Sequence, residues 1–359
     1  MQRLLFWFAA SQMKKLNYFL ILTLCLSAVF LLPQKSFATE EKSYNLEKIF
    51  YLPKYNAVKG VESLEKNWQE IDILAPQYHN LNANFTVTGN FGPKLKKVIK
   101  DRNIKVMPLV ANAGFSQKII HDFLVSKTAQ TKAVNSLVKI ALANKYIGWQ
   151  LDFENISYKD RDLYSAFIER TYKTFKKNNL VFSVVVVPRT TDSFENTNAF
   201  KNWSGVYDYK MIADNSDFVS IMAYDDPKSV GPVASVDFVN KSLAYAKNKI
   251  PPEKLSLGIP LYYWKWDADA NKKIGSGLFN NVSVIMENFK HVLAFYPTLG
   301  VSCLSYSYNQ KNYKIWFEDQ NSLQAKLEII KKNKLRGFSA WLLGGEDPDI
   351  WKILENTQK

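Results

Sequence analysis

The stretch Tyr146-Ile-Gly-Trp-Gln-Leu-Asp-Phe-Glu154 alternates apolar and polar residues with a period of two. On an extended strand this period puts Gln150, Asp152 and Glu154 on one face, and Trp149, Leu151 and Phe153 on the other. Two carboxylates two residues apart on one face stand roughly 6–7 Å apart at the backbone, close enough to perturb each other. Like charge and partial burial then keep one of them protonated near neutral pH, and a protonated glutamic acid is a general acid. An edge strand with a solvated polar face, or a buried structural network, fits the same spacing. The pattern has a catalytic rationale if Glu154 emerges at the C-terminal mouth of a barrel, where the active sites of such folds lie.

Elements able to position such a strand recur along the chain. β-rich runs at 48–52, 71–77, 105–110, 148–153, 181–187, 218–222, 255–259 and 337–342 make eight predicted strands. Apolar residues at helical spacing predict helices over 93–102, 128–144, 160–178, 235–248 and 321–333. The run Val181-Phe-Ser-Val-Val-Val-Val187 is nearly all apolar, as expected of a parallel strand buried on both faces. The pattern predicts an α/β chain: a (β/α)8 TIM barrel with a small α+β insertion between strands 7 and 8, at about 260–336. Within that interval Gly275-Ser276-Gly277, 306–308 and 315–317 read as β-rich pieces. A doubly wound open sheet is the alternative, but no Gly-x-Gly-x-x-Gly turn follows the first strand.

Composition narrows the chemistry. The 359 residues hold 2 Cys and 3 His, too few and too dispersed for a disulfide framework, a thiolate zinc site or a His-x-x-x-His pair. Reactive groups must therefore come from carboxylates, amides and the 51 aromatic residues (23 Phe, 19 Tyr, 9 Trp). The +14 charge is not gathered into a basic stripe, so nucleic acid is not an expected partner. Lys14-Lys15, the apolar run 16–32 and Ser36-Phe37-Ala38 have the three parts of a secretory signal peptide, with cleavage expected after Ala38. An uncleaved anchor is the alternative. Cleavage would leave a 321-residue barrel domain, 39–359, of charge +10 (359 − 38 residues; 14 − 4 charges), since residues 1–38 carry four basic residues and no acidic ones. That domain is expected in the cell envelope or secreted, with no membrane span, and with Cys303 as a small buried apolar residue.

Five segments, in order along the chain, resemble glycoside hydrolase family 18. Gly148-Trp-Gln-Leu-Asp-Phe-Glu154 resembles its Asp-Gly-x-Asp-x-Asp-x-Glu signature on strand four, and Met222-Ala-Tyr-Asp225 its Met-x-Tyr-Asp motif on strand six. Gly337-Phe-Ser-Ala-Trp341 with the following Leu343-Gly-Gly-Glu-Asp-Pro348 is similar to strand eight. The segments 251–260 and Ala75-Pro-Gln-Tyr78 are similar to strands seven and two, the latter in the spore-cortex and wall-lytic branch. The resemblance implies a substrate-assisted retaining glycosidase in which the sugar's 2-acetamido oxygen is the nucleophile. It makes Glu154 the general acid and base, Asp152 the acceptor of the acetamido N–H, and Tyr224 the group that orients the acetamido. It also makes Met222 and Asp225 flanking pocket residues and Trp341 the floor under the cleaved sugar. It implies no metal or cofactor.

The sequence departs from the signature at Ile147 and Gln150, which stand where the family has Asp. An amide at 150 can hydrogen-bond to Asp152 but cannot take its proton, so Asp152 is expected to ionise more readily. Tyr51, Gln77, Tyr78 and Asn112 fall at or after the ends of strands one to three and are candidate substrate contacts. Trp266, in the aromatic cluster Tyr262-Tyr263-Trp264 and Trp266 after strand seven, is a candidate subsite wall; a seam against the insertion is its other reading. The insertion is also expected to shape the cleft. The expected partner is a polysaccharide containing N-acetylglucosamine, peptidoglycan ahead of chitin-type oligomers. The rivals are a non-catalytic sugar-binding protein on the same barrel and, more weakly, a scaffold that binds a protein through the insertion.

Overall fold

The computed structural model describes residues 46–355. The predicted leader and its cleavage site lie outside them. Fourteen strands are described: β1 (Glu47–Pro53), β2 (Ile73–Leu81), β3 (Val87–Thr88), β4 (Leu109–Asn112), β5 (Gly148–Asp152), β6 (Val181–Val186), β7 (Phe218–Ile221), β8 (Leu255–Pro260), β9 (Tyr263–Asp267), β10 (Lys272–Gly277), β11 (His291–Tyr296), β12 (Val301–Tyr308), β13 (Lys311–Phe317) and β14 (Gly337–Trp341). Eight of them pair in parallel in the order β1-β2-β4-β5-β6-β7-β8-β14, and β14 returns to β1, so the sheet closes. This is a (β/α)8 barrel. The short β3 adds an antiparallel edge to β2.

Strand alternation builds two cores. Phe50, Leu52, Trp149, Leu151 and Phe153 point outward into the helix layer. The Trp149 indole N–H donates to the Leu137 carbonyl at 2.9 Å, and Phe153 stacks on Phe167. Ile49, Ile73, Met107, Leu109, Val185 and Phe218 point inward and fill the lower barrel. Above them the interior turns polar. The Gln150 amide donates to Ser183 Oγ at 2.8 Å and Ser220 Oγ at 2.9 Å, and Ser339 bridges Ser220 and Ser256 at 2.9 and 2.7 Å. Five buried polar side chains from five strands thus form a hydrogen-bonded floor under the mouth, in which Gln150 Oε1, alone of the Gln150 amide atoms, lacks a partner.

Between β8 and β14 the chain builds an antiparallel sheet, β10-β9-β13-β12-β11, with the helix Phe279–Asn288 against it. Tyr263, Val282, Leu304, Tyr306, Ile315 and Phe317 form its own small core. Asn309 and Gln310, both at positive φ, make the two-residue turn between β12 and β13. Cys303 is buried, and burial pushes its thiol up to about 11, which suits an apolar filler.

The helix Gln320–Lys332 returns to the barrel and carries a fully buried Lys326. Its Nζ donates to both oxygens of Glu318 at 2.8 Å. Lys326→Met strands a buried carboxylate and is expected to cost about 3–5 kcal/mol, read as a lower Tm. Adding Glu318→Met should recover most of that loss, because the double change removes both charges.

Candidate active site

Glu154 lies two residues beyond the end of β5, in the loop at the barrel mouth. Its backbone is held from the neighbouring strand, where Asn112 ends β4. Asn112 Oδ1 accepts from the Glu154 N–H at 3.0 Å, and its Nδ2 donates to the Glu154 carbonyl at 2.9 Å. The Tyr207 hydroxyl donates to the Phe153 carbonyl at 2.8 Å and fixes the preceding residue. Asn112 thus acts on the position of Glu154 through its backbone.

Asp152 is buried on the inward face of β5 and accepts a hydrogen bond from Gln77 Nε2 at 2.9 Å. Burial raises its pKa above the ordinary carboxylate range, to about 6, and the hydrogen bonds from Gln77 and Glu154 oppose that rise. Glu154 is pushed up much further, by burial first, then by the charge on Asp152, the hydrogen bond it gives to Asp152, and the charge on Asp225. The pair therefore holds its proton on Glu154, the outer and more accessible carboxyl. The Gln150 amide bonds to the serine belt, so Gln77 supplies the Asp152 contact that the sequence had suggested for residue 150. Gln77→Met removes a donor to the charged form of Asp152 and should move the acidic limb of the activity profile to higher pH. An unmoved limb in the pH dependence of kcat would contradict this role.

The other side of the site comes from the chain after β7. Tyr224 is buried beside Glu154 and Asp225, and burial keeps its hydroxyl protonated far above its usual range. Its ring needs Gly258 on β8: a Cβ there would stand 2.8 Å from Tyr224 Cε1 and 2.5 Å from the Ile221 carbonyl. Asp225 sits at positive φ and accepts from the Tyr262 hydroxyl at 2.6 Å. Burial raises Asp225, while Tyr262 and the Lys273 charge oppose the rise. Met222 is half-buried between the inner and outer cores. Trp341 ends β14 half-buried, with its ring against Tyr51 at 5.7 Å. Tyr51 is buried next to Ser220, Ser339 and Gln150, and burial holds its hydroxyl in the neutral form.

Two candidates lie elsewhere. Tyr78 follows Gln77 by one residue, and the pleat turns it outward, where it packs edge-on against Phe91 in the helix-side core. Trp266 donates its indole N–H to the Gly231 carbonyl at 2.8 Å, and the Trp316 ring packs against Gly231, 3.2 Å from where a Cβ would stand. These tryptophans seat the loop after β7 on the insertion; neither lines the cavity.

A cavity of about 600 Å³ opens beside Glu154, with Met222, Tyr224 and Asp225 at its inner end. Its walls come from residues 187–204 after β6, from 225–228 after β7, and from the helix Val236–Lys247. The sequence had suggested the insertion for this task. Residues 187–204 carry no regular apolar period, so reading periodicity missed Arg189, Thr190, Thr191 and Trp203 on the wall.

Residues 37–346 match the sequence model of Glycosyl hydrolases family 18. The uncharacterized glycosylase YvbX of Bacillus subtilis is 26% identical over 306 residues, which are 83% of this chain and 88% of that protein. The cortical fragment-lytic enzyme of Bacillus anthracis is 26% identical over 282 residues, 76% of this chain but 61% of that enzyme's length. Among solved structures, the Bacillus megaterium spore cortex-lytic enzyme SleL superposes with a TM-score of 0.78 at 24% identity, over 87% of this chain and 74% of that one. A chitinase from Chromobacterium violaceum superposes with a TM-score of 0.76 at 23% identity, over 88% and 99%. These two superpositions speak for the fold.

Proposed function

The chain belongs to glycosyl hydrolases family 18 and is a glycoside hydrolase, and from that premise we propose that it cleaves β-linked N-acetylglucosamine glycans with retention of configuration. Peptidoglycan or its fragments are the first substrate and chitin-type oligomers the second. The observation that carries this reading is the Asp152–Glu154 pair, with its proton biased to Glu154, which shares one cavity with Tyr224. The names of the cortical fragment-lytic relatives support the peptidoglycan preference. The signal-like leader supports delivery to the cell envelope or beyond.

In this mechanism the pyranose rests on the Trp341 face, and the glycosidic oxygen lies against Glu154. Glu154 gives its proton to that oxygen as the bond from C1 breaks. The substrate's acetamido oxygen closes on C1 and forms an oxazolinium ion. Asp152 accepts the acetamido N–H and offsets the developing positive charge, while the Tyr224 hydroxyl holds the acetamido in line. Glu154, now a carboxylate, takes a proton from water, which opens the ring at C1 and restores the original configuration. Gln77 and Asn112 are positioning residues: one orients Asp152 and the other the backbone of Glu154.

The test is turnover of labelled peptidoglycan and of a chromogenic N-acetylglucosaminide beside a glucan of equal length. Hydrolysis of the 2-acetamido substrates alone is the expected result. Binding without turnover on every 2-acetamido substrate would favour the rival, a carbohydrate-binding protein on the same barrel.

A further inference from the structure

Arg189 lies three residues beyond the end of β6, on the wall of the cavity that Glu154 closes at its inner end. The residue is only 6% exposed. Its guanidinium packs over the Phe200 ring at 5.1 Å and the Tyr245 ring at 5.3 Å. Among the described residues its side chain makes no ion pair and no hydrogen bond. A guanidinium stays charged at every working pH, and burying one without an anion is costly.

No neighbouring carboxylate pairs with it: Asp192 is held below the usual carboxylate range by Lys249 and Tyr245 first, and the Arg189 charge adds to this only at a distance. Asp192 accepts from the Tyr245 hydroxyl at 2.8 Å and from Lys249 Nζ at 2.9 Å. Asp237 pairs with Lys241 at 2.6 Å, and Asp226 accepts from the Lys228 backbone N–H at 2.9 Å. Glu195 also borders the cavity and makes no ion pair with Arg189. Two aromatic rings therefore hold a cation in place with its donors unspent, on the wall of the catalytic cavity. Its donors are therefore open to an anion carried by a ligand.

Position identifies that ligand. Trp341 and Tyr51 stand at the ends of β14 and β1, across the mouth from the end of β6, which leads to Arg189. A glycan with its cleaved sugar on Trp341 and its scissile oxygen at Glu154 would run its next sugar into this cavity. We propose that Arg189 binds a carboxylate carried by the leaving-group sugar: the lactyl ether of a muramic acid residue, or the peptide attached to that ether. This makes Arg189 a specificity residue that separates wall glycans from neutral chitin-type chains. The inference rests on the glycan reading above, and its test is separable from it.

The test uses the Glu154→Gln protein, which binds without needing to turn over. Calorimetric titration compares three muramic-acid-containing oligomers: one with the free lactyl carboxylate, one with that group as its amide, and one with the peptide intact. The free carboxylate or the peptide form should bind about tenfold tighter than the amide, the scale of one charge-assisted hydrogen bond. Which of the two does so names the source. In the Glu154→Gln, Arg189→Met double variant that preference should fall to about one, and Arg189→Lys should restore part of it. Equal binding of all three oligomers to the protein with Arg189 intact would overturn the proposal. So would a preference that survives Arg189→Met. Should the Met variant not fold, the comparison with Arg189 intact still decides. Turnover by the unsubstituted enzyme is a separate readout. Its absence on every 2-acetamido glycan would count against the glycosidase mechanism, while the carboxylate preference would still stand or fall by binding.

Discussion

Glu154→Gln should lower kcat on any 2-acetamido substrate by about ten-thousandfold, the upper end of what one general acid–base contributes. The upper end applies because the same carboxyl serves both steps, giving a proton in the first and taking one in the second. Gln keeps the size of the side chain and the Asn112 clamp on the backbone, so the barrel should fold as before. Its Tm should not fall, because the change removes a carboxyl forced to share a buried site with Asp152. Substrate binding should survive. A drop of less than tenfold in kcat, with Tm unchanged, would remove Glu154 from the chemistry.

Asp152→Asn should cost about a hundredfold to a thousandfold in kcat, the scale of one preorganised group facing developing charge. It also carries a signature that loss of packing cannot imitate. The charge on Asp152 is one of the causes that raise Glu154, and an amide removes it. Glu154 should then lose its proton at lower pH, so the alkaline limb of kcat moves down the pH scale. In the wild type both limbs should lie above the ordinary carboxylate range, since both carboxyls are raised. The acidic limb reports Asp152 gaining its proton and the alkaline limb reports Glu154 losing its own. An Asp152→Asn profile with an unmoved alkaline limb would mean the two carboxyls do not couple.

How much of this was legible in the sequence depended on the period each residue imposed. The alternation from Trp149 to Glu154 fixed which side chains turn inward, and the structure keeps that division. Gln77 and Tyr78 are both candidate substrate contacts by their place in the sequence; the structure sets Gln77 against Asp152, and the same alternation turns its neighbour Tyr78 away, since adjacent strand residues face opposite sides. The two serines that hold Gln150, Ser183 and Ser220, come from β6 and β7, and no local pattern reports a contact between side chains of separate strands. The third barrel strand was expected from 105, but β4 begins at Leu109, after Pro108, which offers no N–H to a ladder. Val106 makes an isolated bridge to Leu74 before it.

The helix Gln117–Val125 went unread because it abuts the next one. Ser126 ends it and at once caps Lys127–Asn144 by accepting from the Ala129 N–H, so no loop separates the two patterns. Arg189 was invisible for a different reason. Its meaning lies in two rings, Phe200 and Tyr245, that come from separate elements and leave it without an anion. A sequence shows a charge but not whether that charge is paired.

The central claim is that the substrate's own acetamido group attacks C1 while Asp152 and Tyr224 hold it. The anomer of the first product tests this most directly. Hydrolysis of a β-linked N-acetylglucosamine oligomer would be followed by proton NMR from the first seconds, before mutarotation mixes the anomers. The account predicts that the β-anomer appears first and the α-anomer grows in later. An α-anomer formed first would mean that water displaces the leaving group directly, and the role given to the Asp152–Tyr224 pair would fall with it.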